Sequence, residues 1–374
     1  MTTAPVGGFV PPPYPYDRLT ELRFQAERLP GGCVDLSVGT PTDPPPAVVV
    51  DALARSGAER GYPPSIGSPA YREAAAGWMA RRLGVDVAAS QVAACIGTKE
   101  LVAGLPHWLR LRDPSRDTVL YPAVAYPSYE MGARLAGARP VAVPVTGGFG
   151  LDLGAIDEAD AARALCLWVN TPGNPAGSLD DLAAVAAWGR AHDVPVFSDE
   201  CYVEFTWDGP RRTILEHGTD GLVAVHSLSK RSNLAGARAG FYAGDGDLVH
   251  YLSEVRKHAG FMVPGPVQAA AVAAWGDDDH VEVQRDRYRH RLERLRAVLG
   301  AVGIDSPMPG GGFYLFPRSP DGDGWTLARR LAVEAGALVS PGEFYGPAAA
   351  AHARLAVVRS DEAIDLVARR LGVG

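Results

Sequence analysis

The pattern of apolar and polar positions predicts that strands and helices alternate from about residue 47 to residue 250. Three short, continuously apolar runs in this region are typical of strands that are buried on both faces. These runs are Ala164–Val169, Val194–Phe197 and Leu222–His226. Helical segments separate the first two runs and a longer linker precedes the third. The pattern therefore predicts an α/β fold in which helices cover a mostly parallel central sheet.

The predicted helices of this region carry apolar residues at helical spacing. They are Val48–Glu59, Pro69–Leu83, Lys99–Leu111 and Leu179–His192. For the last of them we expect Ser178 to be the N-cap. Asp180 and Asp181 are expected in its first turn, where the helix dipole favours acidic side chains.

The character of the chain changes towards both ends, which predicts three parts. Residues 1–46 are rich in Pro and Gly, and we expect an N-terminal arm that also forms part of a small domain. Residues 47–255 are expected to form the large domain. A long helix (Val281–Leu299), a strand (Phe313–Phe316) and a terminal helix (Asp361–Leu371) predict a smaller α+β domain at 256–374.

Composition and charge argue against several classes of protein. The chain has 374 residues and a formal net charge of -7, whereas broad nucleic-acid binding usually needs a basic face. No apolar run approaches the ~20 residues of a membrane span. The N-terminus has no signal-peptide pattern, so we expect a cytoplasmic protein. The cysteines are far apart and the histidines are scattered, which predicts neither a disulfide scaffold nor a metal site.

Polar residues follow the three predicted strands, at the point where each strand ends. Asn174 follows the first strand, Asp199 and Tyr202 follow the second, and Lys230 follows the third. Ligands of α/β sheets bind at the carboxyl ends of strands, so we expect these side chains to converge on one crevice. A partly desolvated lysine can form a Schiff base, and a carboxylate opposite a pyridine nitrogen keeps that nitrogen protonated. Pyridoxal 5′-phosphate (PLP) needs both groups.

PLP also needs a phosphate site and a side chain that lies flat against its ring. The segment 97–99 (Gly-Thr-Lys) connects a strand-like stretch to a helix, where backbone N–H groups and the helix dipole favour an anion. Ser227, Ser229 and Arg238 flank the lysine, and arginine can bind phosphate through two hydrogen bonds. Tyr126 is a candidate for stacking on the ring. Taken singly, each residue more often serves as a cap, a turn or a packing residue, so the prediction rests on the order and spacing of the whole set.

The order of these motifs resembles that of the class I and II aminotransferases, which are PLP-dependent enzymes of fold type I. The resemblance extends from about Val34 to Leu371. It rests on Asn-x-Pro-x-Asn-Pro at 170–175, Asp-Glu-x-Tyr at 199–202, and Ser-x-Ser-Lys at 227–230 with an arginine eight residues further on. It implies the fold type I architecture, PLP as the cofactor, and amino-acid and keto-acid substrates.

The resemblance also implies roles for the residues that would surround PLP. Lys230 is implied to bind the cofactor covalently and to move a proton, and Asp199 to pair with the pyridine nitrogen. Asn174 and Tyr202 are implied to hydrogen-bond the phenolic oxygen. Tyr126 is implied to stack on the ring. The residues implied around the phosphate are Gly97, Thr98, Lys99, Ser227, Ser229 and Arg238.

Further roles concern the substrate and a second subunit. Arg354 is implied to clamp the substrate α-carboxylate, with Asn174 beside it, and Gly39 to belong to a loop that closes over the substrate. Tyr62 is implied to reach the phosphate of the neighbouring subunit. We therefore expect a homodimer with shared active sites, small-molecule substrates, and neither nucleic acid nor membrane as a partner.

Within this class the sequence most resembles the N-succinyldiaminopimelate aminotransferases of actinobacteria. The segments 35–41, 227–236 and 256–260 carry this resemblance. It implies glutamate as amino donor and N-succinyl-2-amino-6-oxopimelate as acceptor, in lysine and diaminopimelate biosynthesis. The alternatives are an aminotransferase of another pathway and a carbon–sulfur β-lyase of the same fold. A PLP-binding regulator is disfavoured, since only ~45 residues precede the fold where such proteins carry a helix-turn-helix domain.

Overall fold

A computed structural model describes residues 9–373 of the chain. Its strands are β1 (Val34–Asp35), β2 (Val92–Cys95), β3 (Thr118–Pro122), β4 (Arg139–Val143), β5 (Ala164–Asn170), β6 (Val196–Asp199), β7 (Leu222–Ser227), β8 (Gly240–Gly244), β9 (Tyr314–Leu315), β10 (Ala337–Leu338), β11 (Ser340–Pro341) and β12 (Ala353–Ala356). Its α-helices are α1 (Thr20–Glu27), α2 (Ala47–Ala54), α3 (Pro69–Leu83), α4 (Thr98–Arg112), α5 (Ser128–Leu135), α6 (Glu158–Ala162), α7 (Leu182–Ala191), α8 (Leu228–Arg231), α9 (Gly246–His258), α10 (Gly265–Gly276), α11 (Asp279–Ala301), α12 (Gly324–Ala335) and α13 (Asp361–Arg370).

A seven-stranded sheet in the order β2-β8-β7-β6-β5-β3-β4 forms the centre of the larger part. Its strands are parallel except β8, which runs antiparallel between β2 and β7. The prediction of a mostly parallel sheet is therefore confirmed. The strands are continuously apolar because helices cover both faces. On β7, for example, Val223 and Val225 lie in one core while Leu222 and Ala224 lie in the other.

The smaller part is built from both ends of the chain. Strands β11, β12 and β9 form an antiparallel sheet, and α11, α12 and α13 share its core. Strand β1 pairs in parallel with β10, and Leu19, Leu22 and Ala26 of the N-terminal region lie in the same core. The N-terminal segment is thus packed into the smaller part, where it reaches the edge of the large sheet.

The domain boundary at 255–256 stays a prediction, but the packing of α10 bears on it. This helix contacts α2 and α3, and Ala270, Ala274 and Trp275 lie in one of the two cores of the large sheet. Packing therefore groups residues 265–276 with the larger part. Apolar residues occur on all sides of α10, so its sequence pattern did not indicate which surface it would cover.

The ends of two predicted helices were wrong. Asp181, not Ser178, is the N-cap of α7, because its carboxylate accepts the Ala184 N–H at 3.0 Å. Asp180 lies before the helix, and its carboxylate accepts the Leu151 N–H at 2.7 Å. The acidic side chain that was expected to support the first turn therefore holds a neighbouring loop instead. Helix α2 is also shorter than predicted and ends ahead of a glycine at 57 with a left-handed φ of 61°.

Candidate active site

The carboxyl ends of β5, β6 and β7 open into a cleft of about 660 Å³. Asn170, Asp199 and Ser227 are the last residues of these three neighbouring strands, so the parallel register brings the segments after them side by side. The cleft lies between this sheet edge and the smaller part. The predicted site residues that line it are Gly39, Thr98, Lys99, Tyr126, Asn174, Asp199, Tyr202, Ser227, Ser229, Lys230, Arg238 and Arg354.

Lys230 lies in α8, directly after β7, and its side chain crosses the cleft. Its Nζ donates a hydrogen bond to the Gly39 carbonyl. Burial lowers the pKa of Lys230 to about 8, and the positive charge of Arg354 acts in the same direction. About a tenth of the amine is then neutral at pH 7, against roughly a few in ten thousand for an ordinary lysine. A neutral amine is the nucleophilic form, so the cleft favours covalent chemistry at this residue.

Asp199 is a buried carboxylate at the end of β6. Its Oδ2 accepts a hydrogen bond from the Tyr129 hydroxyl at 2.8 Å, and its Oδ1 accepts one from the Cys201 backbone N–H at 3.2 Å. Burial raises the pKa of Asp199, and the hydrogen bonds from Cys201 and Tyr129 and the charge of Lys230 oppose this shift without cancelling it. No basic side chain of residues 9–373 forms an ion pair with the carboxylate. A protonated ring nitrogen in the cleft would supply the positive partner that this carboxylate lacks.

The turn between β2 and α4 forms a tight concave surface next to Arg238. Gly97 has a left-handed φ of 69°, and a Cβ built there would lie 2.2 Å from an Arg238 nitrogen. The positive φ therefore favours glycine, and a side chain at this position would force the Arg238 guanidinium to move. The Arg238 side chain donates to the Ala235 carbonyl at 2.9 Å and has no carboxylate partner in the described part of the chain. The helix start at Thr98 and the guanidinium together form a site for an anion such as phosphate.

Arg354 of β12 is the main charge on the opposite wall. Its guanidinium donates to Asn174 Oδ1 at 2.7 Å, to the Tyr16 hydroxyl at 3.2 Å and to the Ser37 carbonyl. The guanidinium carbon of Arg354 lies 4.2 Å from the centre of the Tyr314 ring. Between residues 9 and 373 no carboxylate pairs with Arg354, and its Nε has no hydrogen-bond partner. A buried, unpaired cation is costly, so this wall is suited to a bound carboxylate.

Two further contacts line the cleft, one between two tyrosine hydroxyls and one between an ammonium group and two aromatic rings. The Tyr202 and Tyr314 hydroxyls lie 2.8 Å apart, which links the sheet edge to the smaller part. The Lys99 ammonium lies over the rings of Tyr14 and Tyr126, 5.4 and 5.9 Å from their centres. The charge of Lys99 thus lies beside the candidate stacking tyrosine, and its expected place around the phosphate stays a prediction.

Two of the predicted residues do not line the cleft. Gly97 lies behind it, against Arg238. Tyr62 lies in the loop between α2 and α3, where 96% of its surface is exposed in the single chain. Its assignment to a neighbouring subunit's site therefore stays a prediction.

Sequence reasoning missed several aromatic residues of the cleft. Tyr129 lies one helical turn after Tyr126, a spacing that could have indicated it. Tyr14 and Tyr16 lie in the Pro-rich N-terminal segment, and Tyr314 follows the three glycines at 310–312. No local pattern marks these three, because they reach the cleft only through the packing of the smaller part.

Comparison with known proteins supports what the geometry suggests. The family described as aminotransferase class I and II matches residues 32–371. The chain belongs to the class I and II aminotransferases. It is 44% identical over 370 residues to the 4-dedimethylamino-4-oxo-anhydrotetracycline transaminase OxyQ of Streptomyces rimosus, covering 96% of this chain and 99% of that protein. It is 35% identical to the LL-diaminopimelate aminotransferase of Desulforudis audaxviator, covering 90% of this chain and 88% of that protein.

A solved aminotransferase shares the whole architecture. The crystal structure from Neisseria meningitidis has a TM-score of 0.89 at 30% identity, covering 96% of this chain and 97% of that one. The predicted fold type I architecture and PLP as the cofactor are therefore confirmed. The predicted closeness to N-succinyldiaminopimelate aminotransferases is not shown by these relatives and stays a prediction.

The residues of the cleft fit PLP. Within the described residues the buried Asp199 carboxylate forms no ion pair, and no acidic side chain pairs with Arg238 beside the helix start at Thr98. A pyridinium nitrogen and a phosphate group carry the complementary charges, and Lys230, with a lowered pKa, lines the same cleft. This aminotransferase also contains, within the described residues, no helix that is long and apolar enough to cross a membrane.

Proposed function

We propose that this aminotransferase moves an amino group from glutamate to a keto acid, and that the keto acid is N-succinyl-2-amino-6-oxopimelate. The observation that carries the first step is Arg354, a buried guanidinium without a carboxylate partner in the part of the chain that the structure describes. Donor and acceptor of such a reaction both carry an α-carboxylate. One arginine can therefore orient both substrates in turn.

The remaining residues of the cleft supply the other requirements of amino transfer. PLP, when bound, supplies the electron sink that stabilises negative charge at the substrate Cα. Lys230 carries the amine that takes the proton from Cα and returns it to a different carbon. Asp199 would keep a proton on the pyridine nitrogen. Asn174 and Tyr202 also line the cleft, and each has a donor group that would serve the phenolic oxygen.

A second positive charge supports dicarboxylic substrates. The Lys99 ammonium lies at the mouth of the cleft over Tyr14 and Tyr126, and no acidic side chain among the described residues pairs with it. Glutamate and 2-oxoglutarate have a distal carboxylate that this charge can bind. N-succinyl-2-amino-6-oxopimelate also has carboxylates far from its keto group.

We further assign a homodimer to the working enzyme. The support is Tyr62, whose exposed ring lies in a well-anchored loop although it contacts nothing in its own cleft. In a homodimer such a residue can bind the phosphate of the partner's cofactor.

The relative from Streptomyces favours a second candidate acceptor. OxyQ is named as a transaminase of an anhydrotetracycline ketone, and the two chains share 44% identity over 96% of this one. A polycyclic ketone has no α-carboxylate, so its transamination would not depend on Arg354 in the acceptor half of the cycle. The two candidate acceptors therefore differ in whether the acceptor half of the cycle depends on Arg354.

The test is a screen of acceptors with glutamate as donor, followed by a variant. Formation of 2-oxoglutarate is measured with N-succinyl-2-amino-6-oxopimelate, with short 2-oxo acids and with polycyclic ketones. We expect the succinylated acceptor to give the highest kcat/KM and R354M to lower it by about a hundredfold or more. A higher kcat/KM with a ketone, unchanged in R354M for the acceptor half, would establish the second candidate. Release of a thiol, pyruvate and ammonia from a cysteine thioether supplied in place of glutamate, without any keto acid, would indicate the β-lyase.

A further inference from the structure

Arg256 is one of the most completely buried charged side chains of the larger part, yet it lies outside the cleft. It is located in the last turn of α9, and only 1% of its surface is exposed. Its guanidinium lies 5.0 Å from the ring centres of both Trp108 and Phe261. A charge in such a place needs a specific partner, and the identity of that partner indicates its role.

The partner is Glu100, in the first turn of the helix that follows the phosphate turn. Arg256 donates two hydrogen bonds to it, from Nη1 at 2.9 Å and from Nη2 at 2.6 Å. Glu100 Oε1 also accepts the Ile96 N–H at 2.8 Å. The Glu100 carboxylate thus ties the first turn of α4 to the backbone of Ile96, across the turn 97–99. Arg256 holds this bridge, and with it the curvature of the turn that faces the phosphate.

The same arginine is connected to the loop that carries Tyr62. The Arg256 guanidinium lies over the ring of Phe261, and the Phe261 carbonyl accepts the Ser65 hydroxyl at 2.7 Å. The Ile66 carbonyl of this loop accepts the Ala94 N–H of β2 at 2.9 Å. The loop 61–67 is therefore fixed between the sheet edge and the segment that Arg256 begins.

Gln268 provides a second anchor for the same loop. Its Oε1 accepts the Ser68 N–H at 2.8 Å, and its Nε2 donates to the Val263 carbonyl at 2.9 Å. The segment 256–268 is thus bound to the residues on which the Tyr62 loop ends.

We propose that Arg256 is a positioning residue for phosphate binding, which shapes the turn 97–99 in its own subunit through Glu100 and supports the loop that presents Tyr62 to the partner subunit. The inference rests on the proposed function in so far as the anion of this site is the PLP phosphate and the partner is a second copy of this chain. Arg256 itself contacts neither group.

The test compares two ligands that differ only in the phosphate. The dissociation constants of PLP and of pyridoxal, which has a hydroxyl in place of the phosphate, are measured by absorbance on the full-length apoprotein. In R256K and E100Q we expect the dissociation constant of PLP to rise about tenfold or more, because the pair of charged hydrogen bonds between Arg256 and Glu100 is lost. The pyridoxal constant is expected to stay within about twofold. Loss of a purely structural residue would weaken both ligands in parallel.

A matched control is available in the other part of the molecule. Arg291 is also buried and donates to Asp43 from two nitrogens, at 2.6 and 3.0 Å. R291K is expected to lower thermal stability but to keep the wild-type ratio of the two constants. Near-UV circular dichroism checks folding, and E100Q, which retains the shape of the side chain, decides the question if R256K does not fold.

The outcomes separate the inference from the function on which it rests. If wild type binds pyridoxal as tightly as PLP, the phosphate site and the proposed function are both refuted. If wild type prefers PLP and the two variants keep that preference, only the role of Arg256 is overturned.

The partner-directed half of the proposal has its own measurement. If Arg256 supports Tyr62, Y62F must weaken PLP binding less in R256K than in wild type, because part of the contribution of Tyr62 is already lost. Equal effects of Y62F in both backgrounds would mean that Arg256 acts only on the turn 97–99 of its own subunit. The proposed support of the Tyr62 loop would then be overturned.

Discussion

The two walls of the cleft are built in different ways. The sheet wall carries Asp199 and Lys230, each within a few residues of a strand end, so the register of β6 and β7 fixes their positions. The opposite wall joins Tyr16, Ser37 and Arg354, which are separated by more than 300 residues where they hydrogen-bond. In the proposed function the first wall holds the cofactor and the second holds the substrate carboxylate. Cofactor chemistry is thus encoded in short motifs, whereas substrate recognition depends on how the smaller part packs.

The largest expected effect comes from the reacting amine on the sheet wall. K230A should lower turnover by about 10⁴-fold or more, because no other amine lies at the end of β7. PLP should still bind without a covalent bond. Borohydride reduction of the wild-type holoenzyme followed by peptide mapping should place the cofactor on Lys230, and trapping on Lys99 would contradict the assignment. K257A, which alters an exposed lysine of α9, should behave as wild type.

The carboxylate of the same wall comes next. D199A should cost about 4 kcal/mol of transition-state stabilisation, which is about a thousandfold in kcat, because the ring nitrogen loses its proton. D180N is the control, since Asp180 is a partly buried carboxylate between β5 and α7 that accepts the Leu151 N–H and does not line the cleft. Steady-state kinetics with glutamate measures both variants. Turnover of D199A within tenfold of wild type would remove Asp199 from its role.

The two walls also interact through charge, and pH reveals the interaction. Apoprotein reconstitution with PLP needs neutral Lys230, so its rate should rise about tenfold per pH unit below the pKa of about 8 and level off above it. In R354M a nearby positive charge is gone, so the pKa of Lys230 should rise and the plateau should move to higher pH. The ionisation of free PLP is the same in both experiments. A difference between the two pH profiles, measured by stopped-flow absorbance, therefore reports a change in the protein. Superimposable profiles would show that the walls are electrically independent.

The smallest effect concerns the residue that neither wall of its own subunit uses. Y62F should weaken PLP binding roughly tenfold, through one lost hydrogen bond to a charged group. Mixing inactive K230A chains with Y62F chains under subunit exchange should then raise activity above that of Y62F alone. In such a hybrid one site has both lesions and the other has neither. Confirmed hybrids without a gain would place Tyr62 in its own subunit's site or away from the phosphate.

The sequence predicted the sheet wall far better than the opposite one. Strand ends and motif spacing indicated Asp199, Lys230 and Arg238 because sheet register turns sequence position into spatial position. Tyr16 could not be predicted, since a Pro-rich segment has no periodicity that shows where it will pack. Arg354 was assigned only through the family resemblance. The N-cap of α7 was misplaced for a similar reason, because Asp180 is engaged by a loop that is distant in sequence.

One spectroscopic titration tests whether one wall binds the cofactor and the other binds the substrate carboxylate. R354M is reconstituted with PLP and titrated with glutamate while the visible absorption band of the bound cofactor is followed. The account predicts that the band forms as in wild type but that glutamate no longer bleaches it at concentrations that suffice for wild type. Failure of the band to form, or bleaching at wild-type glutamate concentrations, would contradict the assignment of the cofactor to one wall and the substrate carboxylate to the other.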